Sequence, residues 1–269
     1  MFRDCIVVIT GAGSGIGQAL AVQLAGRGAH LALVDISRIG LAATVASLPP
    51  GCRAICYPLD VASREAVFGL ADAVKRDFGT AHYIINNAGT AMMASFEHTS
   101  IPEIEKVLAI NLWGVIYGTK AFLPMMLAQK EGCIVNISSV LGLVAGPCHA
   151  AYVMSKFAVR GLTETLWTEL EGTGVRAVVV HPGGINTGIA KNSPIAENET
   201  DLERHVAAVS RRMLVTSPAR CARLIISGLE SGKRRLVVGS GARFMFWLSR
   251  LFPTRYVWLM RRHYSIGSR

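Results

Sequence analysis

The sequence predicts a doubly wound α/β sandwich, one domain with a parallel sheet of about seven strands and helices on both faces. Three observations carry this. Short runs rich in Val and Ile recur at 6–9, 31–34, 55–59, 83–85, 134–137, 175–180 and 236–238. They are continuous rather than alternating, which is the pattern of strands buried on both faces of a parallel sheet. Segments with helical spacing fill the intervals, at 15–27, 38–48, 63–78, 101–127, 151–171 and 217–230. Parallel strands joined through such helices require right-handed crossovers.

Taken in order, the first run leads through Thr10 into a glycine string that opens the first helix. The second run ends at Asp35. Ser100-Ile-Pro-Glu103 has capping-box spacing and starts the long helix. The fifth run ends at Ser139, shortly before the helix that carries Tyr152 and Lys156. Residues 188–216, polar and then helical, read as an insertion after the sixth strand. Ser217-Pro218 places an N-cap before a first-turn proline and so starts the last helix of the body. No linker or repeat divides the body, so the expected organisation is a domain over 1–242 and a basic amphipathic extension over 243–269.

Composition narrows the class. A chain of 269 residues, 51% apolar and 17% charged, buries a core without disulfides and is no disordered tail. Its mean hydropathy of +0.38 raises the membrane question. No uninterrupted apolar run reaches the ~18–20 residues of a spanning helix. The N-terminus reads as a strand and not as a signal peptide. Six cysteines lie scattered in apolar segments without a repeated CxxC, which fits reduced thiols in a cytoplasmic protein and no structural zinc. The seven histidines never pair at ligand spacing, so no catalytic metal is expected. The net charge of +10 is local: after Glu230 there are nine Lys and Arg residues and no acid. The body is therefore nearly neutral, and a nucleic-acid partner is not expected.

Two motifs carry chemistry. Thr10-Gly-Ala-Gly-Ser-Gly-Ile-Gly17 lies between a strand and a helix, where glycines let a pyrophosphate approach unpaired helix N–H groups. Asp35 at the second strand's end suits the ribose hydroxyls of an adenosine and would repel a 2′-phosphate, favouring NAD over NADP; an ordinary capping role is the competing reading. Tyr152 and Lys156 are i and i+4 on one helix, so both face the same way. A nearby lysine cation is expected to lower the tyrosine pKa by ~1–3 units, making it a usable base. Ser139 stands at the carboxyl edge of the sheet, where its hydroxyl would bond an oxygen that develops charge.

With these pieces in this order the chain resembles the classical short-chain dehydrogenase/reductase family along residues 5–240. The resemblance rests on Thr10–Gly17, Asp60-Val61, Asn86-Asn-Ala-Gly89, Asn111, Ser139, Tyr152 with Lys156, and Pro182-Gly183 with Thr187. It implies a seven-stranded Rossmann fold, a nicotinamide cofactor, and hydride transfer between an alcohol and a carbonyl compound. It implies that Tyr152 is the general acid/base, that Ser139 orients substrate, and that Lys156 holds the nicotinamide ribose and tunes Tyr152. Asn111 would anchor a proton-relay water. Gly11, Gly13, Ser14, Gly15, Ile16 and Gly17 would surround the pyrophosphate, and Asp60 and Val61 would touch adenine. Asn87, Ala88 and Gly89 would brace the central strands beside the cofactor. Pro182, Gly183, Ile185 and Thr187 would meet its carboxamide and phosphate. Family habit also implies a homodimer or homotetramer.

Met92, Leu141, Val144 and His149, with Cys148, are expected to line the substrate mouth. His181 reads as a packed strand-end histidine, and Trp113 and Trp167 as core or subunit contacts. In the tail, Phe244, Trp247, Leu248, Leu251 and Phe252 follow helical spacing, with Arg243 and Arg250 among them. Pro253 interrupts, and Tyr256, Val257, Leu259 and Met260 continue the pattern. Either this face packs on the body, the substrate cleft or a partner subunit, or residues 243–262 lie on a membrane surface. The expected function is an NAD-dependent dehydrogenase interconverting a hydrophobic secondary alcohol and its ketone. An NADPH-dependent carbonyl reductase is the alternative, and a membrane-associated scaffold that keeps the fold is another.

Overall fold

In a computed structural model, which describes residues 1–188 and 200–264, the seven Val/Ile runs form one seven-stranded sheet in the order β3-β2-β1-β4-β5-β6-β7. The strands are β1 Ile6–Thr10, β2 His30–Asp35, β3 Ala54–Pro58, β4 Tyr83–Asn86, β5 Gly132–Ile137, β6 Val175–Gly183 and β7 Arg235–Gly239. All six pairings are parallel. The order reverses between β1 and β4, and ligands of such sheets bind at the carboxyl ends there.

Successive strand residues explain why the runs are continuously apolar. Val7 and Ile9 pack on one side with Leu20, Leu24, Ile225 and Ile226. Ile6 and Val8 pack on the other with Val74, Phe122, Met126 and Leu166. The first side is covered by α1 (Gly15–Ala25), α2 (Arg38–Ala46) and, further along the chain, Pro218–Glu230. The second is covered by α3 (Arg64–Phe78), the long helical segment after β4, and α6 (Ala150–Glu169). Caps start several helices, Ser100 and Ser217 as the sequence indicated and Ser37 and Ser63 besides. Ser37 Oγ accepts from Gly40 N–H at 3.0 Å, Ser63 Oγ from Ala66 N–H at 3.2 Å, and Glu103 accepts from the Ser100 N–H at 2.8 Å.

The long helix is not uniform. It consists of α4 (Ile101–Leu108), a π-type turn at Ala109–Trp113, and α5 (Gly114–Gln129). This stretch is long and apolar enough to cross a membrane, although Asn111, Thr119 and Lys120 keep any single apolar run short. Its Phe122 and Met126 are instead fully buried on the sheet. The 188–216 segment contains α7 (Asp201–Arg212), while its polar start at 189–199 lies outside the described residues. Pro218–Glu230 is α8, followed after β7 by α9 (Ala242–Leu251) and α10 (Tyr256–His263).

The tail is thus two helices with a break at Pro253, and the aromatic spacing selects the outer face. Phe244, Trp247, Leu251 and Phe252 are exposed, while Ala242 and Met260 are buried. The predicted pattern therefore divides: Met260 is buried and lines the cavity described below, Leu248, Tyr256 and Leu259 are half-buried, and the other large members face outward. Residues 265–269, the end of the extension, lie outside the described residues. Trp167 is half-buried and donates from Nε1 to the Ala177 carbonyl at 3.0 Å, whereas Trp113 is exposed beside Tyr117.

Candidate active site

The glycine string bends as its residue types demand. Gly11 and Gly15 adopt φ of +66° and +57°, a region that strains residues carrying a Cβ. A Cβ on Gly13 would stand 2.9 Å from the Asp35 carboxylate, and one on Gly17 2.1 Å from the Gly11 carbonyl. The string is therefore drawn tight against β2 and against itself. Ser14, at the N-cap of α1, makes no side-chain cap bond, so no Ser14 side chain occupies the helix's first N–H groups. Thr187 comes over from the far side of the crevice. Its Cγ2 would lie 3.3 Å from a Cβ on Gly15. The cradle fits a pyrophosphate group.

Around this cradle, Asn87 Nδ2 donates to the Thr10 and Gly11 carbonyls at 2.9 and 3.2 Å, and Thr10 Oγ1 accepts from the Asn87 and Ala88 N–H groups. These bonds join β1 to β4 at the switch point. Asp35 Oδ2 accepts from Gly13 N–H and Oδ1 from Ser37 N–H, both at 2.8 Å. The cap of α2 is Ser37 and not Asp35; Asp35 instead braces the glycine string and the N-cap residue, and each oxygen retains a lone pair for a ligand hydroxyl. Asp60 is exposed and accepts from Ala62 N–H, and Val61 is buried near Gly114. Asp35, Asp60 and Val61 do not line the cavity described below, whereas Ile16, Asn87, Gly89, Pro182, Ile185 and Thr187 do.

Helix α6 presents Tyr152 and Lys156 toward the end of β5. The Ser139 hydroxyl and the Tyr152 phenol line the same cavity, close enough for the hydroxyl to favour the phenolate. Lys156 Nζ lies 5.5 Å from the Tyr152 ring centroid and donates to the Ile137 carbonyl at 3.0 Å. The Ser138 hydroxyl donates to the Lys156 carbonyl at 2.8 Å, locking α6 onto β5. Asn111 sits in the π-type turn, a deformation common at functional sites. Its amide accepts from Thr90 N–H at 2.8 Å and donates to the Thr90 carbonyl and Ser155 Oγ. A Cβ on Gly89 would lie 3.2 Å from Asn111 Oδ1 and 3.7 Å from Lys156 Nζ, so glycine lets the three meet.

The electrostatics correct one expectation. Burial pushes the Tyr152 phenol above its ordinary pKa, and the nearby Ser139 hydroxyl opposes this only in part. Burial outweighs whatever lowering the neighbours supply, so the net direction is the opposite of the one expected. Burial depresses Lys156 to about 8. His149 is lowered by burial, with its bond to the Pro147 carbonyl acting the other way. His181 is more than a packed histidine: its Nδ1 donates to the Ser139 carbonyl.

Ser139, Tyr152 and Lys156 line one cavity of about 240 Å³. Met92, Leu141, Val144 and His149 line it as the sequence suggested. Sequence reasoning missed Met93, Arg211, Met213, Leu214, Met245 and Tyr264, which the fold collects from separate segments. Cys148 precedes the Tyr152 helix at φ +59° and is buried with Met93, Val206, Met260 and Tyr264. The wall is apolar and rich in methionine, a side chain that adapts to irregular ligands.

Comparisons with known proteins agree with this geometry. A family model described as short chain dehydrogenase matches residues 5–198. A protein described as "Putative oxidoreductase SadH" from Mycobacterium tuberculosis is 43% identical over 258 residues, covering 95% of this chain and 93% of its own. Human estradiol 17-beta-dehydrogenase 11 is 31% identical over 265 residues, covering 97% and 83%. A short chain dehydrogenase/reductase from Burkholderia phymatum, solved in complex with NAD, superposes with a TM-score of 0.86 at 32% identity over 96% of each chain.

Proposed function

The chain belongs to the short-chain dehydrogenase family of oxidoreductases, and we propose that it interconverts a hydrophobic secondary alcohol and its ketone with NAD(H). The observation that carries this reading is the convergence of Ser139, Tyr152 and Lys156 on one otherwise apolar cavity, with Lys156 on the same helix face as Tyr152. The fit of the glycine cradle to a pyrophosphate at the uncapped start of α1 supports a dinucleotide cofactor, and the Asp35 carboxylate, which would repel a 2′-phosphate, supports NAD over NADP. The NAD complex of the Burkholderia phymatum relative supports the same choice. The methionine-lined wall and the estradiol dehydrogenase relative support an apolar, steroid-like or lipid-like substrate.

When bound, the nicotinamide supplies a two-electron acceptor or donor for hydride. The protein's part is proton handling and position. Tyr152, kept neutral by burial, holds a proton ready for a carbonyl oxygen, and in the oxidative direction it must first release that proton. Ser139 Oγ donates to the same oxygen and fixes its place. Lys156, charged below a pH of about 8, would hold ribose hydroxyls and stabilise the Tyr152 phenolate once formed. The Asn111 amide is committed to Thr90 and Ser155, so any water it anchors for Lys156 would bind its main-chain carbonyl. Exposed Trp113, Met154 and Phe157 on the long helical segment and α6 support self-association there.

The test is absorbance in the reduced-nicotinamide band with NAD or NADP and a panel of steroid, retinoid, long-chain and small alcohols. Turnover with NAD and an apolar class is expected, and Tyr152→Phe is expected to reduce it by about 10²–10⁴-fold or more while cofactor still binds. Appreciable activity in that variant would remove Tyr152 from the acid/base role.

A further inference from the structure

Helices α9 and α10 have two unlike faces. Inward, Met245, Met260 and Tyr264 line the cavity, with Met260 and Tyr264 only 5% and 4% exposed. Outward stand Phe244, Trp247, Leu251 and Trp258, at 58%, 59%, 67% and 63% exposed, with Phe252 and Val257 beside them. Single exposed apolar side chains are ordinary, but a run of large ones on one short segment marks a contact surface.

The charge around that surface identifies the partner. Arg243, Arg250, Arg255, Arg261 and Arg262 are all exposed, and among the described residues none has an acidic partner. No acid follows Glu230 in the sequence. Arg250 and Arg262 lie over the rings of Phe246 and Trp258 at 4.6 and 5.7 Å, so cation and aromatic surface form one patch. A symmetric pairing of this face with a second copy would set these arginines against each other without an acid to separate them. Duplex nucleic acid would match the arginines but not Leu251, Val257 or the two indoles. A bilayer with anionic headgroups matches both, taking the apolar side chains into the acyl boundary, the indoles at headgroup level and the arginines at phosphates.

We propose that α9 and α10 dock the protein on an anionic bilayer surface. The same two helices then separate the lipid from the cavity. A route for substrate from lipid into that cavity rests in addition on the oxidoreductase reading, whereas docking does not.

The experiment is co-sedimentation of the full chain with phosphatidylcholine vesicles, with and without phosphatidylglycerol, at low and high salt. Expected is binding that needs the anionic lipid, weakens with salt and blue-shifts tryptophan emission. The double variant Trp247→Glu/Trp258→Glu, and separately Arg261→Gln/Arg262→Gln, should each bind about tenfold more weakly or worse. None of these four side chains lines the cavity, so thermal midpoint and any turnover of a water-soluble alcohol should stay as in the parent. No vesicle binding, equal binding to neutral vesicles, or binding that survives both double variants would overturn the proposal. So would a dimer that Trp247→Glu/Trp258→Glu splits, or displacement from vesicles by an oligonucleotide that binds the same face. Because vesicle binding is read without cofactor or alcohol, its failure is separate from failure of the enzymatic reading.

Discussion

His181 Nδ1 donates to the carbonyl of Ser139 at 2.9 Å, from a position inside β6 where the histidine has no solvent exposure. A carbonyl only accepts, so the bond fixes the tautomer with the proton on Nδ1. The turn that presents the Ser139 hydroxyl to Tyr152 is thereby held from behind by a neutral ring.

That arrangement makes acid the vulnerable side. Burial, assisted by Arg235 and Arg160 and opposed by the Ser139 bond, depresses His181 to about 4. Its folded value lies below the unfolded one of ~6.5, so no penalty exists above that pH and stability falls as pH drops toward 4. This group should cost up to about 3 kcal/mol across that window. His181→Asn keeps a donor near the Nδ1 position and does not titrate. Urea unfolding at pH 7 and 4.5 should show a smaller acid loss for the variant, and parallel losses would remove His181 as the source.

Lys156 predicts the opposite limb. Burial lowers it to about 8, so the folded state carries a penalty for the buried ammonium below that pH. As pH rises from about 8 toward ~10.5 the unfolded chain holds the proton longer, and this site adds stability. Lys156→Met removes the charge at similar length. Relative to the variant, the parent should gain up to about 3 kcal/mol over that range. A difference that stays flat with pH would mean that water reaches the amine.

The sequence made the sheet legible because strand burial on both faces leaves unbroken Val and Ile, and all seven runs fall within their strands or a residue or two of them. Tyr152, Lys156 and Ser139 were legible because helix geometry fixes i and i+4, and a strand end fixes the serine. Signs and faces were not. Spacing placed Lys156 near Tyr152 but carried no measure of burial, which reverses the expected shift. The tail's periodicity defined an aromatic stripe without saying that the sheet lies on its other side. The π-type turn at Asn111 has no periodic signature, and Met213, Met245 and Tyr264 come together only through the fold.

Asp35 separates two roles in one test. Its carboxylate holds the Gly13 and Ser37 N–H groups and would oppose a 2′-phosphate, with charges ~4 Å apart near the surface interacting by roughly 1–4 kcal/mol. Asp35→Asn keeps an acceptor and loses the charge, and Asp35→Ala loses both. The ratio of NADH to NADPH affinity should fall about tenfold or more in each. Only Asp35→Ala should also lose about 1 kcal/mol of stability for each N–H left without its acceptor. An unchanged ratio in both variants would leave Asp35 as a brace for the Gly13 and Ser37 N–H groups alone.

Glu203 holds the roof of the cavity. Its side chain is 1% exposed and accepts from Ser95 N–H at 2.7 Å, Thr200 N–H at 2.7 Å, Thr200 Oγ1 at 2.8 Å and His98 Nδ1 at 3.1 Å. Burial would raise its pKa, but these donors together outweigh it and hold the carboxyl well below the usual range. In sequence it is one acid on a polar helix. In the fold it ties α7, whose Ser210 and Arg211 line the cavity, to the loop that carries Met92 and Met93. Glu203→Ala leaves several donors unmet and should cost about 1–3 kcal/mol. Since the carboxylate touches neither Tyr152 nor Ser139, KM for an apolar substrate should rise more than kcat falls, and amide exchange in α7 should quicken. Glu203→Gln, which keeps one acceptor, should recover part of the KM. A variant with unchanged KM and abolished kcat would place Glu203 in the chemistry and not in the roof.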